Sequence, residues 1–199
     1  MRVAVLGATG AVGSLLVTTA LERGLEVTAL ARNPSRVTGV RSAQVDVHDP
    51  ASIARAVEGA DVLVSGLGVT NGAHGTLTAG AKAAVASGVG RIVWLGAYGT
   101  GESAAAAGFV TRSVIGLLLR REIPDKVAAD ATVLAAGGTV FHVGPMGDGP
   151  AAHHTYPLGE APTKLFPSMV SRAAVAAAMI DEAAAPTHPG QTVVATGGN

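Results

Sequence analysis

The sequence predicts a single doubly wound α/β domain on a parallel sheet. Short apolar runs alternate with segments of helical period from the N-terminus onward. Several of the runs, such as "RVAVL" and "DVLVS", are apolar nearly throughout, as strands covered on both faces are. The first run also passes into the first helical segment through three evenly spaced glycines, Gly7, Gly10 and Gly13. A chain of 199 residues, 48% hydrophobic and 14% charged, has the length and apolar content for one well-buried core.

In order, strands are expected at 2–6, 26–31, 43–47, 61–65, 91–95, 139–143 and 192–195. Helices are expected between them at 11–23, 51–58, 74–87, 108–121, 125–136 and 171–184. Aromatic residues make up only 3% of the chain, so alanine, valine and leucine must fill the core. The segment 144–167, "GPMGDGPAAHHTYPLGEAPTKLFP", lacks either periodicity and is rich in glycine and proline. It reads as a long loop with at most one short strand, and long loops in compact domains are more often functional than idle. No repeat or linker divides residues 1–199.

Composition excludes several functions. Basic and acidic residues number 14 each, and neither half of the chain departs far from balance. No electrostatic footprint for nucleic acid or an anionic membrane results. There is no cysteine, hence no disulfide, thiol nucleophile or cysteine metal site. The uncharged stretch from Val62 to Gly80 is long enough to span a bilayer, but its glycines, threonines, Asn71 and His74 argue against that. A soluble, cytoplasmic protein is expected.

The glycines need a reason, because glycine weakens strands and helices by about 0.5–1 kcal/mol relative to alanine. Between a first strand and a first helix, each has one. Gly7 permits the tight turn, Gly10 lets the backbone approach a pyrophosphate, and Gly13 permits close helix-strand packing. Amides from Thr9 through Ala11 and Val12 would then face phosphate oxygens along the helix dipole. A merely tight turn is the plain alternative. The end of the second strand bears on which dinucleotide binds. Selectivity for NAD calls for a carboxylate there, to accept from the ribose hydroxyls. This chain instead has Arg32, with Arg36 one turn on, and a guanidinium bonds a phosphate bidentately. Arg32 therefore favours NADP(H) over NAD(H), unless it is a solvated surface charge and Arg36 caps a short turn.

The succession "GATGAVG", "ALARNP", "VDVHD", "VLVSGLG" and "RIVWLGAYG" resembles the atypical short-chain dehydrogenase/reductase superfamily. Within it, the chain is most similar to a small NAD(P)H-binding branch that includes biliverdin/flavin reductase B-like enzymes and NmrA-like redox sensors. The closing "SRAAVAAAMIDEAAAPTHPGQTVVATGG" extends the likeness to nearly the whole chain. The resemblance implies a Rossmann-like fold and a set of cofactor contacts. Asp46 and Val47 would lie beside the adenine, and Ser65, Gly66 and Leu67 along the adenosine ribose and pyrophosphate. Gly96, Ala97 and Tyr98 would approach the nicotinamide riboside. Gly144, Pro145 and Met146 would flank the nicotinamide ring.

The superfamily's reductases pair a serine after the fifth strand with a tyrosine four residues before a lysine. Here Gly96 and Ala97 stand in the serine's place, Lys126 matches the lysine, and Glu122 replaces the tyrosine, with Pro124 interrupting any helix between them. The Ser-Tyr-Lys triad is thus lacking. Hydride transfer to a flavin, quinone or linear tetrapyrrole needs no such side-chain acid, because the acceptor can take its proton from solvent. The expected function is therefore an NADPH-dependent reductase of a small, flat conjugated substrate. The alternatives are a non-catalytic NADP(H) sensor of NmrA-like type with a protein partner, or a tailoring enzyme on the same fold. A homodimer also stays open.

Lys126 is expected to act through charge and position, unless Glu122 or Asp125 neutralises it at the surface. Tyr98 is a candidate proton donor or a lid. His154 and Tyr156 would line the substrate cleft. The adjacent histidines 153 and 154 point apart, and with His142 they find no carboxylate at ligand spacing, so no metal is expected.

Overall fold

The computed structural model describes residues 1–68, 74–106, 122–161 and 169–197. Strands β1 (Arg2–Leu6), β2 (Glu26–Ala31), β3 (Arg41–Gln44), β4 (Val62–Ser65), β5 (Ile92–Ala97) and β6 (Thr139–Val143) are followed by β7 (Met146–Gly147), β8 (His153–Pro157), β9 (Val170–Ser171) and β10 (Thr192–Gly197). The described helices are α1 (Ala11–Glu22), α2 (Pro50–Ala56), α3 (Thr76–Ala86), α4 (Ser103–Ala106), α5 (Ile123–Ala135) and α6 (Arg172–Ala184).

The main sheet runs β3-β2-β1-β4-β5-β6-β10-β8, and every pairing but the last is parallel. This is a Rossmann-like single α/β domain. The order reverses between β1 and β4, so their carboxyl ends open a crevice where such folds bind ligands. One sheet face packs on α1 and α6, through residues such as Val5, Leu16, Val64, Val175 and Met179. The other face packs on α2, α3 and α5, through Leu6, Ile53, Leu63, Ala81, Trp94 and Val133. Small aliphatic residues dominate both cores, as the shortage of aromatics requires.

Two expectations need correction. The segment after β6 holds two strands, β7 and β8, where at most one was expected, and β8 joins the main sheet antiparallel to β10. The sheet is therefore mostly parallel. As a half-exposed edge, "HHTYP" shows no apolar run to mark it. The third strand begins two residues early and ends at Gln44, set by the pairing of Arg41–Gln44 with Thr28–Ala31. Val45 and Val47 are buried beyond its end. The helix expected at 108–121 lies outside the described residues, as do the last residues of the 144–167 loop. Among the described residues, no helix is long and apolar enough to cross a membrane.

One buried carboxylate ties α6 to the start of β6 and to the turn that leads into β10. Glu182, 5% exposed on α6, accepts from the amides of Thr187 and His188 at 3.1 and 2.9 Å and from the Thr187 hydroxyl at 2.7 Å. The His188 ring and the Thr139 hydroxyl of β6 lie at 3.1 and 3.2 Å. Burial raises the Glu182 carboxyl, but the hydrogen bonds from Thr187 and His188 outweigh it and leave it below its ordinary value. A depressed folded value stabilises the native state above the unfolded value, near 4.5, and that contribution is lost as pH falls through the folded one. Replacing Glu182 with Gln should cost on the order of 1–3 kcal/mol in urea unfolding at neutral pH. The penalty should shrink in acid.

Candidate dinucleotide site

The β1–α1 junction is built by backbone contact. Gly7 has φ of 78°, which glycine adopts without strain, and its amide donates to the Leu30 carbonyl at 3.0 Å. The Gly10 amide turns back to the Gly7 carbonyl at 2.9 Å. A Cβ on Gly13 would stand 2.0 Å from that carbonyl oxygen, and one on Gly66 would stand 2.9 Å from the Gly13 nitrogen. The turn, the helix and the end of β4 touch where any side chain would separate them. Gly10 is the N-cap of α1, and no side chain caps the helix. This cradle fits a pyrophosphate, which amides at a helix N-terminus can hold.

The other candidates fall along the same carboxyl edge. Arg32 and Arg36 are exposed at the end of β2, and among the described residues neither makes an ion pair. The 3₁₀ turn Pro34–Arg36 between them is capped by Asn33, whose side-chain oxygen accepts from the Ser35 amide at 3.2 Å. Arg36 thus need not cap it. Asp46 is exposed beyond β3 and accepts from the His48 amide, while Val47 is buried against the α3 side. Buried Ser65 accepts from the Leu67 amide at 3.3 Å. Beyond β3, a cleft of about 540 Å³ opens between the starts of α2, α3 and α5, lined by His48, His74, Lys82 and Pro124 among others.

At the β5 and β6 ends, Gly96 pairs with His142, and Tyr98, half-buried, donates its amide to Val143 at 2.9 Å. The space where a serine side chain at 96 would lie is already filled. A Cβ there would meet the His142 Cδ2 at 2.6 Å and the Asp130 Oδ1 at 3.1 Å. Gly144, Pro145 and Met146 follow β6, and the Pro145 carbonyl accepts from the Val170 amide.

Pro124 sits in the first turn of α5, where a missing N–H costs nothing, so it starts the helix. Glu122 is its N-cap, outside the helical turns. Asp125 faces away from Lys126. Its carboxylate accepts from the Leu77 and Thr78 amides at 3.0 and 2.9 Å and from the Thr78 hydroxyl at 2.6 Å, capping α3. Burial raises that carboxyl, but the bonds from Thr78, Leu77 and Gly75 bring it below its ordinary value. The surface pair with Lys126 is therefore not made through Asp125, and among the described residues Lys126 has no ion-pair partner. The helical repeat puts Lys126 on the same face as Asp130, one turn nearer the carboxyl edge.

His154 is exposed and Tyr156 half-buried on β8, their rings 6.3 Å apart. They lie two strands beyond β6, about 10 Å across the sheet. His153 turns to the opposite face and reaches Asp181 at 3.5 Å, while His142 is buried under β6, so the three histidines do not converge. Two residues had no signal in the sequence, Ser103 and Asp130, which both reach His142; Asp125 was noticed only as a neighbour of Lys126, its capping partner being 47 residues away.

A family model described as NAD(P)H-binding matches residues 7–186. The chain belongs to the NAD(P)H-binding family. Solved structures of similar shape agree with the NAD(P)H-binding fold. Anaerobillin reductase from Escherichia coli O157:H7 superposes with a TM-score of 0.78 at 20% identity, covering 98% of this chain and 97% of that one. A short-chain dehydrogenase/reductase from Veillonella parvula, in complex with NADP, gives 0.80 at 16% identity, covering 98% and 94%. A chain from Burkholderia pseudomallei, provisionally named an exported protein, gives 0.78 at 29% identity, covering 98% and 99%.

The glycine contacts set a sharp expectation. Replacing Gly13 with Ala should push α1 off β1 and destabilise the fold by about 1–3 kcal/mol, read by urea unfolding. The same change at Gly24, where an added Cβ meets nothing within 4 Å but φ is 70°, tests the backbone conformation alone.

Proposed function

We propose that this chain is an NADPH-dependent reductase of a flat conjugated acceptor, a flavin, quinone or similar molecule. The observation that carries the reading is the filled space beside Gly96. The glycine turn at Gly7–Gly13 would cradle the dinucleotide, and at Gly96 on β5 the His142 ring and Asp130 leave no room for the side chain of the serine that carbonyl reduction uses. NADPH supplies the hydride, and the protein supplies binding and orientation. Gly7, Thr9, Gly10, Ala11, Val12 and Gly13 would hold the pyrophosphate. Arg32, with Arg36, would bond the 2′-phosphate, free of competing carboxylates among the described residues. Asp46 and Val47 would border the adenine, and Ser65, Gly66 and Leu67 the neighbouring ribose. Gly96, Ala97, Gly144, Pro145 and Met146 would frame the nicotinamide.

Lys126 would bond the nicotinamide ribose hydroxyls, its neighbour Asp125 being occupied on α3. Tyr98, His154 and Tyr156 would border the acceptor, with residues 144–161 roofing it. The names of two relatives favour this class: anaerobillin reductase, and a Streptococcus pneumoniae protein provisionally named an NADH-flavin reductase. The reaction would take place in the cytoplasm, where NADPH is supplied; the Burkholderia relative's name points to export instead, and cell fractionation separates the two. A non-catalytic NADP(H) sensor is the second reading, favoured by the same missing hydroxyl.

Three measurements test these assignments. NADPH oxidation should proceed with flavin or quinone acceptors, and nucleotide binding without turnover across them would favour the sensor. Arg32→Ala should weaken NADPH by on the order of 1.5–3 kcal/mol, roughly ten- to hundredfold, and leave NADH unchanged. Lys126→Met should weaken NADPH while the pH profile of turnover keeps both limbs.

A further inference from the structure

Three buried polar residues from three separate elements meet beneath the β5 end. His142 of β6 is 1% exposed, Asp130 of α5 is 5% exposed, and Ser103 of α4 is 0% exposed. The His142 Nε2 lies 3.1 Å from an Asp130 carboxylate oxygen, and its Nδ1 lies 2.7 Å from the Ser103 hydroxyl. That hydroxyl also accepts the Gly99 amide at 2.8 Å. Apolar residues would fill this space at less cost, because buried polar groups must first offset their desolvation. What an apolar filling could not do is reach the turn after β5.

The turn is held at each step. The Tyr98 amide bonds Val143, the Thr100 hydroxyl donates to the Ala97 carbonyl at 2.8 Å, and the Ser103 amide donates to Thr100 at 3.1 Å. Glu102 accepts from the Thr192 hydroxyl of β10 at 2.6 Å, which ties the same segment across the sheet. Ser103 is enclosed, so it cannot serve as a nucleophile. Its hydroxyl is the joint through which the His142–Asp130 pair grips Gly99.

We propose that His142, held by Asp130 and Ser103, is a positioning residue for the nicotinamide half of the site. It fixes the turn that presents Ala97 and Tyr98, and it requires glycine at 96 to make room for its ring. The proposal rests on the reading that NADPH lies along this carboxyl edge. The contacts lie under the nicotinamide end and away from the cradle at Gly7–Gly13, so their loss should affect one half of the nucleotide.

Calorimetric titration of wild-type protein and Ser103→Ala separates the halves, with NADPH as one probe and adenosine 2′,5′-bisphosphate, which lacks the nicotinamide, as the other. The variant should bind NADPH about five- to tenfold more weakly and the bisphosphate equally well. His142→Phe should show the same split, and Ser103→Ala, the milder change, keeps the test usable if that variant does not fold. Equal NADPH affinity in variant and wild type would overturn the assignment alone. Equal weakening of both probes would also overturn it, by showing a general structural role. Wild-type protein that binds neither probe would overturn the nucleotide reading, and this assignment with it.

Discussion

The structure depends on backbone meeting backbone where β1, α1 and β4 converge. No attractive force of unusual strength acts there; the constraint is steric. With the Gly7 carbonyl lying where a Gly13 side chain would be, α1 sits closer to the sheet than any other residue pair would allow. That depth lets Leu16, Val17 and Ala20 of α1 share one core with Val175, Met179 and Ala183 of α6. It also aims the uncapped start of α1 into the crevice at the strand reversal. Fold and site thus share a single cause. The helix cannot be packed without also creating the cradle.

The two sheet faces divide the labour unequally. The α1/α6 face carries an apolar cluster, with its polar anchor at Glu182 near the opposite edge. The α2/α3/α5 face carries the polar apparatus, and one helix supplies most of it. Helix α5 caps α3 with Asp125 and buries Asp130 against His142. Asp125 and Asp130 leave the helix in different directions, so one short segment braces a neighbouring helix and the sheet together. A shift of α5 would be felt at both.

Much of this was legible in the sequence because it rests on local rules. The ends of β1, β2 and β6 coincide with the expected ones, since full burial leaves runs such as "RVAVL" and "TVFHV" without interruption. The glycine turn was legible because its spacing has few other physical uses. The 3₁₀ turn at Pro34 was not placed, and neither was β8, because an edge strand of histidine, threonine and tyrosine lacks the pattern that burial imposes. The His142 contacts were hidden for a different reason. Ser103, Asp130 and His142 are far apart along the chain, and each is unremarkable alone; only the register of β5 on β6 and the packing of α5 bring them together. The same holds for Asp125, whose i+1 neighbour Lys126 suggested a pairing that α3 takes instead.

The antiparallel strand β8 has a consequence for how the molecule meets others of its kind. Without it, β10 would end the sheet with Val193, Val194 and Ala195, an apolar row with unpaired amides and carbonyls. Such an edge is a template for strand addition from another chain. β8 covers it and presents in its place two histidines, a threonine and a tyrosine, closing on Pro157, which has no amide hydrogen to offer. The far edge, β3, is short and polar, "RSAQ". Both margins are therefore poor partners for further strands, and a sheet of eight strands stops at eight without a barrel to close it. β8 thus guards the protein against aggregation.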